Sequence, residues 1–139
     1  MRDRSSVVLH PAVVVHGLAD ARRVLTVGRP ATLLSAPGAA CYAGCGWWRA
    51  LVAAAREEIP NVEAVDVLDC LDQTGRAVEA LRHGLRCLVL LPFAPARDDA
   101  AARAEAVGAT LLSARPAALD LARPGDARRL SAWLERAGA

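Results

Sequence analysis

Short apolar runs alternate along the chain with alanine-rich segments in which apolar residues recur at helical spacing. The apolar runs are continuous, and continuous runs are typical of strands buried on both faces of a parallel sheet. The pattern predicts strands over residues 7–16 (with a break at Pro11 as an alternative), 31–35, 62–68, 86–91 and 109–113, and helices over 18–27, 46–58, 75–83, 98–107 and 126–137.

Five consecutive strand–helix pairs predict an α/β fold, a three-layer (βα)5 open parallel sheet with helices on both faces. The flavodoxin-like order 2-1-3-4-5 is the first expectation for the sheet, and a half-barrel arrangement is the second. Gly28, Gly84 and Gly108 each stand between a helix and a strand, where left-handed helix ends are common. Residues 1–6 are predicted to form a flexible tail, and residues 7–139 a single domain.

The composition excludes several classes of function. All 17 basic residues are arginine, so the chain lacks the lysine of Schiff-base enzymes, pyridoxal enzymes and Walker-type nucleotide binders. A net charge of +2 and the small number of aromatic residues argue against nucleic-acid binding. We find no signal-peptide core and no apolar stretch of the ~20 residues that cross a membrane, so we expect a cytoplasmic protein with no membrane partner. No cofactor is predicted.

The four cysteines are expected to be reduced, because the chain shows no export signal. The sequence contains no CxxC or HxxxH pattern, so no metal site is predicted. Cys87 lies in an apolar run and Trp48 on the apolar face of a helix, and both are expected to be buried. A redox function of Cys41, Cys45 or Cys70 is a minor alternative.

Polar side chains follow several of the predicted strands. In open α/β sheets, ligands bind beyond the carboxyl ends of the strands, where the strand order reverses. With the order 2-1-3-4-5, His16 would lie near Asp69 and Cys70, and Arg115 would reach inward to the same cleft. His16, Asp69 and Cys70 are the candidate catalytic groups, and no role is assigned among them. The helix that follows Cys70 would favour its thiolate.

Capping is the simpler interpretation of two carboxylates in this region. Asp72 stands just before a predicted helix, where an aspartate commonly caps the first turn. Asp69 at a strand end is placed to stabilise a turn.

A glycine-rich segment connects the second predicted strand to the next helix. Backbone N–H groups around Gly38, Gly44 and Gly46 are placed to cradle an anion at a helix start. A flexible connection is the alternative interpretation. The expected ligand-binding set also contains the following residues outside these glycines: Ser35, Trp47, Asp72 and Arg115.

The chain resembles a response-regulator receiver domain at the third and fifth predicted strands. Asp69 matches the phosphoacceptor position of that family, and Arg115-Pro116 matches its Lys-Pro turn. The first strand ends in His16-Gly17, where receivers carry an acidic pair that holds magnesium. The resemblance therefore implies a degenerate, receiver-like relative and gives no support to phosphotransfer through Asp69.

The leading expectation is a small protein that binds a polar, anionic small molecule at the carboxyl ends of its strands, with catalysis open. The alternative is a non-catalytic regulatory or protein-interaction module, and a homo-oligomer is possible for either. A pocket of converging polar groups would favour the first, and an apolar patch that exposes Trp47 would favour the second. An Asp69-Cys70 segment buried under a helix would weaken the small-molecule and redox interpretations.

Overall fold

The structure is a computed structural model that describes residues 7–136. The predicted tail, residues 1–6, and the end of the last predicted helix lie outside the described residues.

Six strands form one sheet in which the pairings are parallel, so the predicted α/β class and parallel sheet are confirmed. The order in the sheet is β5-β4-β3-β2-β1-β6. The strands are β1 (Ala12–Val14), β2 (Ala31–Leu34), β3 (Ala64–Asp69), β4 (Cys87–Val89), β5 (Thr110–Leu112) and β6 (Ala118–Asp120).

Within residues 7–136, six α-helices connect or follow the strands. They are α1 (Leu18–Thr26), α2 (Ala39–Tyr42), α3 (Cys45–Glu58), α4 (Thr74–Arg82), α5 (Arg97–Ala106) and α6 (Leu130–Leu134). Across residues 7–136, no helix combines the length and apolar character that a membrane crossing requires.

The strand order differs from the predicted 2-1-3-4-5. The neighbour of β3 is β2 and not β1, so β1 does not lie between them. The prediction also missed β6, which pairs with β1 with Leu119 opposite Val13. The half-barrel arrangement stays a prediction.

The described chain divides into two compact units. Unit 1 consists mainly of Pro37–Arg49 and Val67–Arg115, and unit 2 of Leu9–Ala36, Ala50–Asp66 and the segment from Pro116 onward. That the chain from residue 7 forms a single domain stays a prediction.

In unit 2, β1 lies between β2 and β6 and is fully buried. The strand is shorter than the predicted 7–16 because Pro11, which lacks an N–H donor, precedes it. The predicted helix 126–137 is a 3-10 turn (Asp126–Arg129) followed by the short α6. The buried Asp126 carboxylate accepts the backbone N–H of Asp120 at 3.0 Å, which holds the chain in this turn.

In unit 1, β4 lies between the end of β3 and β5, and its three residues are buried. The predicted burial of Cys87 and Trp48 is confirmed: Cys87 is 3% exposed and Trp48 is 0% exposed. Gly84 and Gly108 end α4 and α5 with φ of +91° and +73°, as the glycine positions predicted. All four cysteines are free thiols.

Candidate functional site

The segments that follow β3, β4 and β5 meet in unit 1. The N–H of Leu91 donates to the carbonyl of Leu71 at 2.8 Å, which joins the ends of β3 and β4. The Cys41 thiol donates to the carbonyl of Cys70 at 3.7 Å, and Gly38 faces the Leu71 side chain. We use the name carboxyl-end surface for residues of unit 1 that follow the ends of β2, β3, β4 and β5, up to the first turn of the next helix; its members are Tyr42, Trp47, Leu71, Phe93, Arg97 and Arg115.

Arg115 of this surface forms an ion pair with Asp69. The Asp69 carboxylate is buried, and its Oδ2 pairs with Nη1 of Arg115 at 2.7 Å. Its Oδ1 accepts the N–H of Leu71 at 2.7 Å, in a turn where Leu71 has a φ of +57°. Asp69 therefore stabilises a turn, which was one of the two roles predicted for it, and it also fixes the Arg115 guanidinium.

Arg97 supplies a second fixed guanidinium, which the sequence analysis did not single out. Its Nε donates to the carbonyl of Leu90 at 2.9 Å, and its Nη2 donates to the Ser113 hydroxyl at 3.3 Å. Arg97 opens α5, directly after Ala96 in the left-handed conformation. A non-glycine residue with positive φ before a helix is not visible in the sequence, so no local signal marked this arginine.

Cys70 is fully buried, and its environment opposes ionisation. Burial raises the pKa of its thiol to about 12, and the negative charge of Asp69 adds to the shift. The sequence analysis expected the following helix to favour the thiolate, but the loss of solvation outweighs that effect. A protonated, buried thiol is a poor nucleophile at neutral pH.

The raised pKa of Cys70 predicts a loss of stability at alkaline pH. The folded state holds the thiol proton up to about pH 12, whereas an ordinary thiol has a pKa of 9.0. The contribution of Cys70 to the free energy of unfolding is therefore complete below pH 9 and decreases as the pH rises toward 12. Above pH 9, the free energy of unfolding of the native protein should fall by about 1.4 kcal/mol per pH unit more than that of Cys70→Ala. Urea denaturation at pH 8, 9 and 10 measures this difference, and parallel pH curves for the two proteins would contradict it.

The glycine-rich segment contains α2 and the first turn of α3, and the anion cradle expected at this helix start stays a prediction. Gly38 and Gly44 flank α2 with φ of +68° and +90°, conformations that glycine adopts without strain, and Gly46 lies inside α3. The N–H groups of Cys41, Ala43 and Gly44 donate to carbonyls of the same segment. These amides are therefore engaged within the segment.

Large apolar side chains are exposed on the carboxyl-end surface. Tyr42 and Phe93 are 71% and 70% exposed, Leu71 40% and Trp47 38%. Trp47 tilts against the buried Trp48 with ring centroids 5.9 Å apart. Three of the five aromatic residues are thus exposed in unit 1, in a chain that has few of them.

His16 belongs to unit 2, where its partner is Asp120. Nε2 of His16 lies 2.7 Å from Oδ1 of Asp120, at the carboxyl ends of the paired strands β1 and β6. Burial raises the pKa of Asp120, but hydrogen bonds from His16 and the N–H of Ala122 outweigh it, so the pKa lies below its usual value. Asp120 was not predicted as a partner of His16 because no strand was predicted around Leu119.

Two further predicted residues have local roles. Ser35, in unit 2, is buried and donates its hydroxyl to the carbonyl of Ala36. Asp72, in unit 1, accepts the side-chain amide of Gln73 at 3.0 Å, and no side chain caps α4. The predicted capping role of Asp72 is therefore wrong.

One cluster of unit 1 has side chains of the types that bind metals. Cys45, Glu79 and His83 bring a thiol sulfur, a carboxylate oxygen and an imidazole nitrogen within 4.8 Å of one another.

No protein-family model matches the chain, and the search of curated proteins finds no match either.

Proposed function

We propose that unit 1 binds an anionic small molecule with an apolar, planar part at its carboxyl-end surface. The observation that carries the proposal is the pair of guanidinium groups, Arg97 and Arg115, that protein acceptors hold in the region where aromatic side chains are exposed. Small-molecule sites combine apolar and aromatic lining with a few well-placed polar groups.

The fixed position of the guanidinium groups favours binding of an anion. Arg97 is held by the Leu90 carbonyl, and its Nη1 hydrogens have no partner among residues 7–136. An arginine already ordered by the protein loses less side-chain entropy when it binds a carboxylate or phosphate. Hydrogen bonds between such charged groups are stronger than neutral ones.

Catalysis is not part of this proposal. The Asp69 carboxylate is engaged by Arg115 and the Leu71 backbone, and the Cys70 thiol is buried with a raised pKa. Neither group is placed to accept a proton from a ligand or to attack it. His16 with Asp120 forms a separate pair in unit 2.

The dye 8-anilinonaphthalene-1-sulfonate tests the proposal because it joins aromatic rings to an anionic group. We expect the native protein to bind it with increased fluorescence, and Arg97→Gln to weaken binding about tenfold or more, the effect of losing one charge-assisted hydrogen bond. Arg128→Gln, an exposed arginine of unit 2, is the control and should leave binding unchanged. Circular dichroism shows whether each variant is folded.

Two results would contradict the small-molecule proposal. One is no dye binding by the folded native protein. The other is equal binding by Arg97→Gln and Arg128→Gln, since that would mean that the guanidinium at position 97 does not contribute.

A second candidate function, a protein-interaction module, is favoured by the exposure of Tyr42 and Phe93. These side chains are about 70% exposed, more than a residue that lines a closed ligand pocket. Sedimentation velocity of the same samples tests one form of this candidate, association between copies of the chain. Concentration-dependent association that is lost in Tyr42→Ser/Phe93→Ser would support it, and a monomer at all concentrations would exclude it.

A further inference from the structure

The cluster of Cys45, Glu79 and His83 arises from two helices of unit 1. Glu79 and His83 are four residues apart at the end of α4, so their side chains lie on the same helix face. Cys45 is the first residue of α3. The donor atoms of the three side chains all lie within 4.8 Å of one another.

We propose that these three residues bind Zn²⁺, with solvent as the fourth ligand. Zinc accepts sulfur, nitrogen and oxygen ligands in tetrahedral geometry at about 2.0–2.3 Å, which places neighbouring donor atoms about 3.3–3.8 Å apart. The donors of the cluster therefore need to approach one another by about 1.5 Å or less. Magnesium and calcium require mainly oxygen ligands, so a thiol and an imidazole disfavour them.

The surroundings of the cluster leave one coordination position open. Cys45 is buried, Glu79 is half-buried and His83 is exposed, so protein lies on one side of the cluster and solvent on the other. Glu79 also lines an open groove of about 410 Å³. Zinc sites with three protein ligands and one solvent ligand are typical of reactive sites, whereas structural sites have four protein ligands.

Arg76 competes with the metal for Glu79. Its Nη1 lies 3.2 Å from Oε1 of Glu79, three residues away on the same helix. A bound cation would be repelled by this guanidinium and would have to share its carboxylate partner. Arg76→Gln should therefore strengthen zinc binding severalfold.

The sequence analysis predicted no metal site because the ligands do not form a local motif. Cys45 is separated from Glu79 by more than thirty residues, and only the packing of α3 and α4 in unit 1 brings the donors together. This site uses none of the residues of the carboxyl-end surface, so it stands independently of the proposed function.

Cobalt(II) absorption and zinc competition test the proposal on tag-free, chelator-treated full-length protein. We expect one equivalent of Co²⁺ to give thiolate-to-cobalt charge-transfer absorption in the native protein, displaced by Zn²⁺ and absent in Cys45→Ser. Glu79→Gln and His83→Asn should weaken zinc binding more than about tenfold. Mutation of residues that only hydrogen-bond to a metal ligand already lowers metal affinity by that factor.

Glu57→Gln and His10→Asn are the matched controls and should bind zinc like the native protein. Circular dichroism of each metal-free variant shows whether it is folded. If Cys45→Ser unfolds, Glu79→Gln and His83→Asn keep the test valid. The absence of charge-transfer absorption in the native protein would overturn the proposal. So would equal zinc affinity of Glu79→Gln, His83→Asn and their controls.

Discussion

Arg115→Ala should lower the free energy of unfolding by about 3–5 kcal/mol at pH 7. The side chain of Asp69 is 2% exposed, and its Oδ2 lies 2.7 Å from the Arg115 guanidinium. Removal of one partner of a buried ion pair leaves the other charge in a poorly solvated position, which costs much more than the pair itself contributes. Urea denaturation measures the change in the free energy of unfolding.

Two controls separate this effect from the loss of an ordinary surface contact. Arg22→Ala removes an ion pair with Glu58 in which both side chains are more than 40% exposed, and it should cost less than about 1 kcal/mol. Asp69→Asn combined with Arg115→Ala should be more stable than Arg115→Ala alone, because no charge is then left buried. A cost for Arg115→Ala equal to that of Arg22→Ala would contradict the structural role of the pair.

A large loss of stability in Arg115→Ala would also affect how ligand binding is tested. A variant that weakens the fold cannot report cleanly on an anion site, so Arg97 is the better position for that purpose. Arg97 is anchored by a backbone carbonyl and a hydroxyl. Both groups are uncharged, so removal of the guanidinium leaves no buried charge without a partner.

The elements of the fold could be predicted largely from the sequence because their signals are local. Continuous apolar runs such as the one around Leu88 predict buried parallel strands wherever those strands lie in the sheet. Strand order depends on which strands pair, and nothing in the composition of β1 distinguishes β2 from β3 as its neighbour. β6 has only three residues after Pro116, too few to show a periodic pattern.

The candidate site was predictable to the extent that its residues directly follow strands. His16, Asp69 and Arg115 were predicted on this basis to converge on one cleft, and two of them, Asp69 and Arg115, form an ion pair. The pairing of His16 with Asp120 depends on β6, so missing that strand concealed the partner. The burial of Cys70 depends on the packing around it, and a position beside a helix in the sequence does not reveal it.

Trp48→Ala should lower the free energy of unfolding by about 3–5 kcal/mol, whereas Trp48→Phe should cost far less. Trp48 is fully buried in α3, so truncation to alanine removes a large apolar surface and leaves a cavity. Its Nε1 is also buried and has no acceptor among residues 7–136. A buried donor without a partner costs about 1–3 kcal/mol, so phenylalanine removes this cost while it keeps an aromatic ring in the core.

Trp133→Phe is the matched control because the same substitution there removes a hydrogen bond. Nε1 of Trp133 donates to the carbonyl of Ala12 at 2.8 Å, in unit 2. Its replacement leaves that carbonyl without the indole donor, so Trp133→Phe should cost more than Trp48→Phe although Trp133 is less buried. Urea denaturation followed by circular dichroism compares the variants without relying on tryptophan fluorescence. A greater loss in Trp48→Phe than in Trp133→Phe would contradict this prediction.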